Sequence, residues 1–289
     1  MIYVILGPTC SHKSKLAELL HKAIKNSIVV NFDAFQVYRE LNIGTAKPSK
    51  EELATGDYYL YDFLNLTEIY DVSAYQDDAR HLLEKFSDRD IIFVGGTGLY
   101  IKAALFDYQF LKEDPMSEDY LSELTTEELF AKLEKIDPLD AAKIGNNNRK
   151  RLLRALFIYE SHQKSKSDIT LDGKNKLLYE NTKFILLNPD RESLYEDINL
   201  RVDEMFEAGL KEEVNDLINV YGKSLRSMQA IGYKEFFDNE LSLEEIKELI
   251  KKHTRNYAKR QITFFKHQFE NVAVYETYLD AYEDLVKKS

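Results

Sequence analysis

At 289 residues, with 44% hydrophobic and 31% charged side chains, the chain is long enough for one large domain or a domain carrying a smaller insertion. The net charge of −11 argues, taken alone, against nucleic acid as a partner, because neutralising phosphate takes Lys and Arg. A single cysteine, Cys10, excludes an internal disulfide, the start on Met1 leaves no room for a signal peptide, and no apolar run is as long as a membrane span, so a cytoplasmic location without a membrane partner is expected.

The first element is an apolar run, Ile2–Leu6, which reads as a strand and feeds into Gly7-Pro8-Thr9-Cys10-Ser11-His12-Lys13-Ser14. A helical pattern follows (Leu16, Leu19, Leu20, Ala23, Ile24). Strand, glycine-led loop and helix are the context of a phosphate-binding P-loop, with backbone N–H groups around the anion, Lys13 over its oxygens and Ser14 as a ligand for Mg²⁺. The pattern asks for glycine at the sixth position, where this chain has His12. The motif alone leaves a second reading open, an ordinary strand-turn-helix with a chance Lys-Ser.

Further strands are predicted over Ile28–Phe32 and Ile91–Val94, with a helix around Ala74–Phe86. This alternation predicts a parallel sheet covered by helices, with ligands at the carboxyl ends of the strands. One strand end carries Asp33, able to accept a proton from a substrate hydroxyl or amine, or else to form an Asx turn. Another runs into Gly95-Gly96-Thr97-Gly98, where a P-loop hydrolase would place a Mg²⁺-binding carboxylate.

From Lys112 to Glu180 strand signals cease; Thr125-x-x-Glu128 is a capping box opening a helical run, and Arg151–Tyr159 reads as helical too. The polar stretch Gln163–Lys176 reads as a loop, and Phe184–Leu187 as a returning strand. The expected organisation is an α/β core over 1–111 and 181–289 with an all-helical insertion over 112–180. The rest is predicted helical, opening with the capping box Ser242-x-x-Glu245. Two stretches qualify the acidic total: Lys143–Arg154 holds five basic residues and no acid, and Lys251–His267 holds six and no acid. Lys252, Arg255 and Lys259 recur at helical spacing and are expected on one face. Each stretch alone is compatible with a solvated helix face.

Several blocks together resemble the tRNA dimethylallyltransferase family, also called tRNA isopentenyltransferases. They are Asp33-Ala34-Phe35-Gln36-Val37-Tyr38, Asn42-Ile43-Gly44-Thr45-Ala46-Lys47-Pro48, Val94–Tyr100, Asn147-Asn148-Arg149-Lys150-Arg151, Ser227–Lys234 and Tyr257–Thr263. They occur in the family's order over nearly the whole chain. The resemblance implies a P-loop NTPase-like core that transfers a dimethylallyl group from dimethylallyl diphosphate to the exocyclic amine of the adenosine immediately 3′ of the anticodon. The P-loop becomes a pyrophosphate clamp, which accounts for the missing hydrolase carboxylate and for the basic stretches. By resemblance, Lys13, the loop amides and Mg²⁺ on Ser14 stabilise the leaving pyrophosphate, and Thr9 donates to its bridging oxygen. Arg201 is a second cation, or else part of a helix salt bridge, and Asp33 is the general base.

The resemblance also lays residues along the anticodon stem-loop. Ala34, Phe35, Gln36 and Thr97 lie beside Asp33 at the base, and Gln36 is suited to reading a base edge. Lys150, Arg151, Arg154, Gln229, Gly232, Tyr233, Lys234, Lys259, Arg260, Gln261, Thr263 and Lys266 follow the RNA. Phe264 or Phe265 offers a stacking face, or both are core. A monomer is expected. Departures from the family pattern are His12, Tyr58 for a frequent His, Gly145-Asn146 for His-Pro, and Phe264 for Trp. His12 is either a steric intrusion on the phosphate loop or an additional phosphate donor. Two other readings stand beside transfer to tRNA: a P-loop small-molecule kinase, and a non-catalytic tRNA-binding relative with a decayed P-loop.

Overall fold

The computed structural model describes residues 1–110, 118–165 and 176–287. Of the predicted loop Gln163–Lys176, residues 166–175 lie outside the described part. The chain divides into two compact units, Met1–Leu105 with Tyr179–Ser289, and Phe106–Leu178.

In the larger unit, β1 (Ile2–Leu6) leads through the predicted loop into α1 (Lys13–Ala23), then β2 (Ser27–Asn31). A short α2 (Lys50–Leu53) and two-residue β3 (Tyr58–Tyr59) precede α3 (Val72–Lys85), β4 (Asp90–Val94) and α4 (Gly98–Leu105). The smaller unit holds α5 (Glu118–Glu123), α6 (Thr126–Ile136), α7 (Pro138–Ile144) and α8 (Arg149–His162). The larger unit resumes with β5 (Thr182–Leu187), α9 (Arg191–Glu207), α10 (Leu210–Tyr221), α11 (Leu243–Gln268), β6 (Val272–Tyr275) and α12 (Tyr278–Lys287).

The six strands form one parallel sheet in the order β3-β2-β4-β1-β5-β6. Strands β1 and β2 are buried at every position, which is why they read as unbroken apolar runs instead of alternating ones. On one face Tyr3, Ile5, Val29, Ile92, Val94 and Ile185 pack against Leu16, Ala17 and Leu20 of α1 and Ala281 and Leu285 of α12. The prediction of an entirely helical remainder after Phe184–Leu187 misses β6. That strand lies at the sheet edge with Ala273 and Val274 exposed, so it lacks the buried run that marks the central strands.

Both predicted capping boxes form. Thr125 Oγ1 accepts from Glu128 N at 3.2 Å, and Ser242 Oγ accepts from Glu245 N at 3.3 Å, each glutamate reaching back to the cap residue's own N–H. The smaller unit closes on its own core of Leu121, Leu129, Leu133, Ala141, Leu152 and Leu156.

Candidate active site

Register brings three strand ends level. Ile5 of β1 and Asn31 of β2 both pair with Val94 of β4, so Gly7, Asp33 and Gly95 emerge side by side at the carboxyl edge. Above them lies a cavity of about 800 Å³, lined by Thr9–Lys15, Asp33, Gln36, the Asn42–Lys47 loop, Gly96, Arg201, Tyr257 and Gln261.

The phosphate loop is closed around one carbonyl. Pro8 O accepts from Ser11 Oγ at 2.8 Å and from Lys13 Nζ at 2.5 Å. Gly7 has a φ of +155°, and a Cβ there would lie 2.6 Å from Ser11 Oγ and 2.8 Å from Leu187 O, so no side chain fits. The first turn of α1 has no side-chain cap and no acidic residue, which leaves its N–H groups directed at the cavity. Burial pushes the Lys13 ammonium down to about 8, while Cys10 and Asp33 oppose that shift and Arg201 adds to it. His12 holds φ 58°, ψ 27°, the left-handed region, and Cys10 also has positive φ, 61°. The exposed His12 ring lies 3.5 Å from Asp197 Oδ2 and 5.6 Å, centroid to centroid, from Tyr278.

Arg201 reaches the loop from α9, its Nη1 donating to Thr9 Oγ1 at 3.1 Å. Asp33 does both things its sequence position allowed. Its Oδ1 accepts from Phe35 N at 2.9 Å, an Asx turn, while Oδ2 lies 3.3 Å from where a Cβ on Gly96 would stand. The turn thereby fixes the carboxylate and leaves its second oxygen beside Gly96, on the cavity wall. Asn31 braces it from below, accepting from Asp33 N at 2.8 Å. Thr97 Oγ1 accepts from Ala34 N at 3.1 Å, tying the glycine-rich loop to the Asp33 turn. Gln36 Nε2 donates to Thr45 O at 2.9 Å and Ala46 O at 3.2 Å.

Three residues predicted on RNA have work inside the protein. Gln261 is 5% exposed, and its amide accepts from Thr9 N and donates to Gly96 O, both at 2.9 Å. A Cβ on Gly96 would stand 2.5 Å from Gln261 Nε2, so glycine is what admits the bridge. Tyr233 is fully buried and bonds Glu213, and Gly232 is buried with φ 99°. Phe265 is core at 1% exposed, while Phe264 is half-buried against Gly98.

The remaining RNA candidates face outward or partly so. Lys259, Arg260, Thr263 and Lys266 are exposed on α11, Gln229 is exposed and Lys234 half-buried. In the smaller unit Lys150, Arg151 and Arg154 are exposed on α8, whereas Arg149 is turned to the Ser122 carbonyl at 2.6 Å. The basic run on α11 is less uniform than its sequence. Lys251 pairs with Asp203 at 2.9 Å, and Arg255 donates to Asn199 at 2.6 Å, so the expected Lys252–Arg255–Lys259 face is broken in the middle. Both partners come from α9, which the local sequence does not reveal. The Asn42–Lys47 wall is held by Lys47, which stands in a family-like block without a role of its own, and by Glu213, which no motif includes; a glutamate in a charged helix gives no such signal.

Among the described residues no cluster of three or more His, Cys, Asp or Glu could hold an ion. The Ser14 hydroxyl on the cavity wall is a hard oxygen donor, which fits Mg²⁺ completed by phosphate oxygens and water better than a metal held by protein alone. No helix among the described residues is long and apolar enough to cross a membrane.

A family model described as IPP transferase matches residues 36–268. Proteins described as tRNA dimethylallyltransferase from Bacillus cereus and Bacillus anthracis are each 40% identical over 280 residues, 93% of this chain and 88% of theirs. Among solved structures, a tRNA delta(2)-isopentenylpyrophosphate transferase from Staphylococcus epidermidis superposes with TM-score 0.72 at 32% identity, covering 99% of this chain and 97% of its own. A eukaryotic dimethylallyltransferase acting on tRNA gives TM-score 0.85 at 27% identity, over 99% of this chain and 76% of its own.

Proposed function

The chain belongs to the IPP transferase family, and on that footing we propose that its P-loop NTPase-like core moves a dimethylallyl group from dimethylallyl diphosphate to N6 of the adenosine 3′ of the anticodon in tRNA. The observation that carries this reading is the shared cavity: a phosphate loop with two cations and a fixed carboxylate open into the same 800 Å³.

The diphosphate binds over the loop amides and the N-terminus of α1. Lys13 exchanges the Pro8 carbonyl for phosphate oxygens, and the anion restores the charge that burial disfavours. Thr9 Oγ1 accepts from Arg201 and lies 3.9 Å from Cys10 Sγ, and with diphosphate bound its O–H turns to donate to the bridging oxygen. Ser14 would hold Mg²⁺, which supplies charge neutralisation for the departing diphosphate. As the amine nitrogen bonds to C1 of the donor, the C1–O bond breaks and its electron pair leaves on diphosphate. The amine proton passes to Asp33 Oδ2, which the Asx turn holds at the wall. The adenine must leave its stack to enter so deep a cavity.

Lys259, Arg260 and Lys266 on one unit, and Lys150, Arg151 and Arg154 on the other, hold RNA phosphates. Gln229, Lys234 and Thr263 of the larger unit also contact RNA. The protein acts as a monomer in the cytoplasm. Incubation with labelled dimethylallyl diphosphate, Mg²⁺ and total tRNA, then nucleoside analysis, is expected to yield a prenylated adenosine. An unmodified RNA with phosphoryl transfer from ATP to a small molecule would instead return the kinase reading.

A further inference from the structure

Tyr233 lies in a segment whose sequence points to RNA, yet it is fully buried against the outside of the cavity wall. Its hydroxyl donates to Glu213 Oε1 at 2.7 Å and accepts from Gly44 N at 3.2 Å. The Glu213 carboxylate also accepts from Ile43 N, at 3.1 and 3.0 Å to its two oxygens. Gly44 is glycine because the tyrosine ring occupies the space, a Cβ there lying 2.4 Å from Cε2. At the other end of the same loop Lys47 Nζ donates to Tyr38 O at 2.7 Å, Arg39 O at 3.1 Å and Asp62 Oδ1 at 2.5 Å. The Asn42–Lys47 segment is therefore gripped at both ends through its backbone and its lysine.

On the inner side of that segment, the Thr45 and Ala46 carbonyls take the two N–H donors of the Gln36 amide. An amide with both donors committed presents its oxygen. An oxygen at that place accepts from an amine and repels a ring carbonyl, so the loop carbonyls determine which edge of a purine Gln36 tolerates. We propose that Tyr233 and Glu213 are positioning residues for acceptor choice. By fixing Ile43 and Gly44 they fix the carbonyls that orient Gln36, and so make the site select a purine bearing an exocyclic amine. This inference rests on the reading that Gln36 and Asp33 meet the acceptor base.

The test uses the full chain with Tyr233→Phe, Glu213→Gln and the double variant. Tyr233→Phe keeps the ring that packs on Gly44 and removes only the hydroxyl; Glu213→Gln is the second route if that variant folds poorly. Steady-state rates with dimethylallyl diphosphate and an anticodon stem-loop are paired with binding of stem-loops carrying adenosine or inosine at the acceptor position. Each single variant is expected to raise KM for RNA about tenfold and to narrow the adenosine-over-inosine binding preference, the effect of one misplaced polar contact. The KM for the donor stays within about twofold, and the double variant is no worse than the worse single one, because both act on one loop. The inference is overturned if RNA KM and base preference are unchanged, if donor and RNA terms rise together, or if the two effects add. Failure of the proposed function would show differently, as a wild-type protein that makes no prenylated nucleoside.

Discussion

Arg201 and Thr9 are separated by 192 positions in the chain, yet the guanidinium of one donates to the hydroxyl of the other at 3.1 Å. The contact gives Thr9 a direction. With its oxygen accepting from a cation, the hydroxyl hydrogen points elsewhere, towards Cys10 Sγ at 3.9 Å or, on the proposed reading, towards the diphosphate over the loop. It also places a second positive charge beside a lysine whose charge burial has weakened.

Asp33→Asn keeps an oxygen for the Phe35 N–H and therefore the turn, but cannot take a proton. Turnover is expected to fall by roughly 10²-fold or more with RNA affinity nearly intact. Single-turnover rates and filter binding on the same preparation check this; turnover at the wild-type level would remove Asp33 as the base.

RNA affinity should fall steeply as salt rises, and Lys259→Ala or Arg260→Ala should each flatten the slope of log K against log salt by about one unit. Lys251→Ala serves as an internal control. Its ammonium is already neutralised by Asp203 at 2.9 Å and Glu248 at 3.0 Å, so its removal leaves the slope alone. A slope that answers to Lys251 and ignores Lys259 would reverse the assignment of the α11 face.

His12 carries a Cβ at φ 58°, a conformation that costs an ordinary residue about 1 kcal/mol and glycine nothing. Comparison of two substitutions separates the backbone from the ring. His12→Gly relieves a strain already present before any ligand binds and is expected to raise stability to urea by about 1 kcal/mol, while His12→Ala keeps the strained Cβ and leaves stability unchanged. Weaker donor binding in both variants would make the imidazole a phosphate ligand.

Lys13 titrates at about 8 in the folded chain and near 10.5 when unfolded. Between those values the unfolded chain holds a proton that the folded one lacks, so stability gains from Lys13 as pH rises through this window. Binding has the opposite sense: pyrophosphate affinity should drop as pH rises through about 8, where the ammonium is lost. Urea midpoints and calorimetric titrations of wild type and Lys13→Met over the window test both slopes. The variant should show neither.

Where local chemistry decides the structure, the sequence was legible. β1, its loop and α1 follow from an apolar run and a glycine, and the boxes at Thr125 and Ser242 follow from side chains three residues apart. The site was legible as a set of residue types at three strand ends. What escaped is orientation. Gln261 follows Arg260 directly, yet one residue of helical rotation sends the arginine to solvent and the glutamine into the core, and no motif states which way a helix faces. Tyr233 and Glu213 escaped for a related reason: their partners are backbone N–H groups of the Asn42–Lys47 loop, which carry no side-chain signature. β6 escaped because an edge strand need not be buried.

The cavity draws its parts from both ends of the chain, and this bears on how the protein is made. β1 pairs with β4 on one side and with β5 on the other, and β5 begins only at Thr182, after the helical unit. A nascent chain that has reached β4 owns the phosphate loop and Asp33 but neither the second neighbour of β1, nor Arg201, nor the Gln261 bridge that holds Thr9 N at 2.9 Å. Such distant pairings close late in folding. The contacts that set Thr9, from Arg201 and Gln261, therefore arrive only near the end of synthesis, and a fragment that stops at β4 holds its phosphate loop without them.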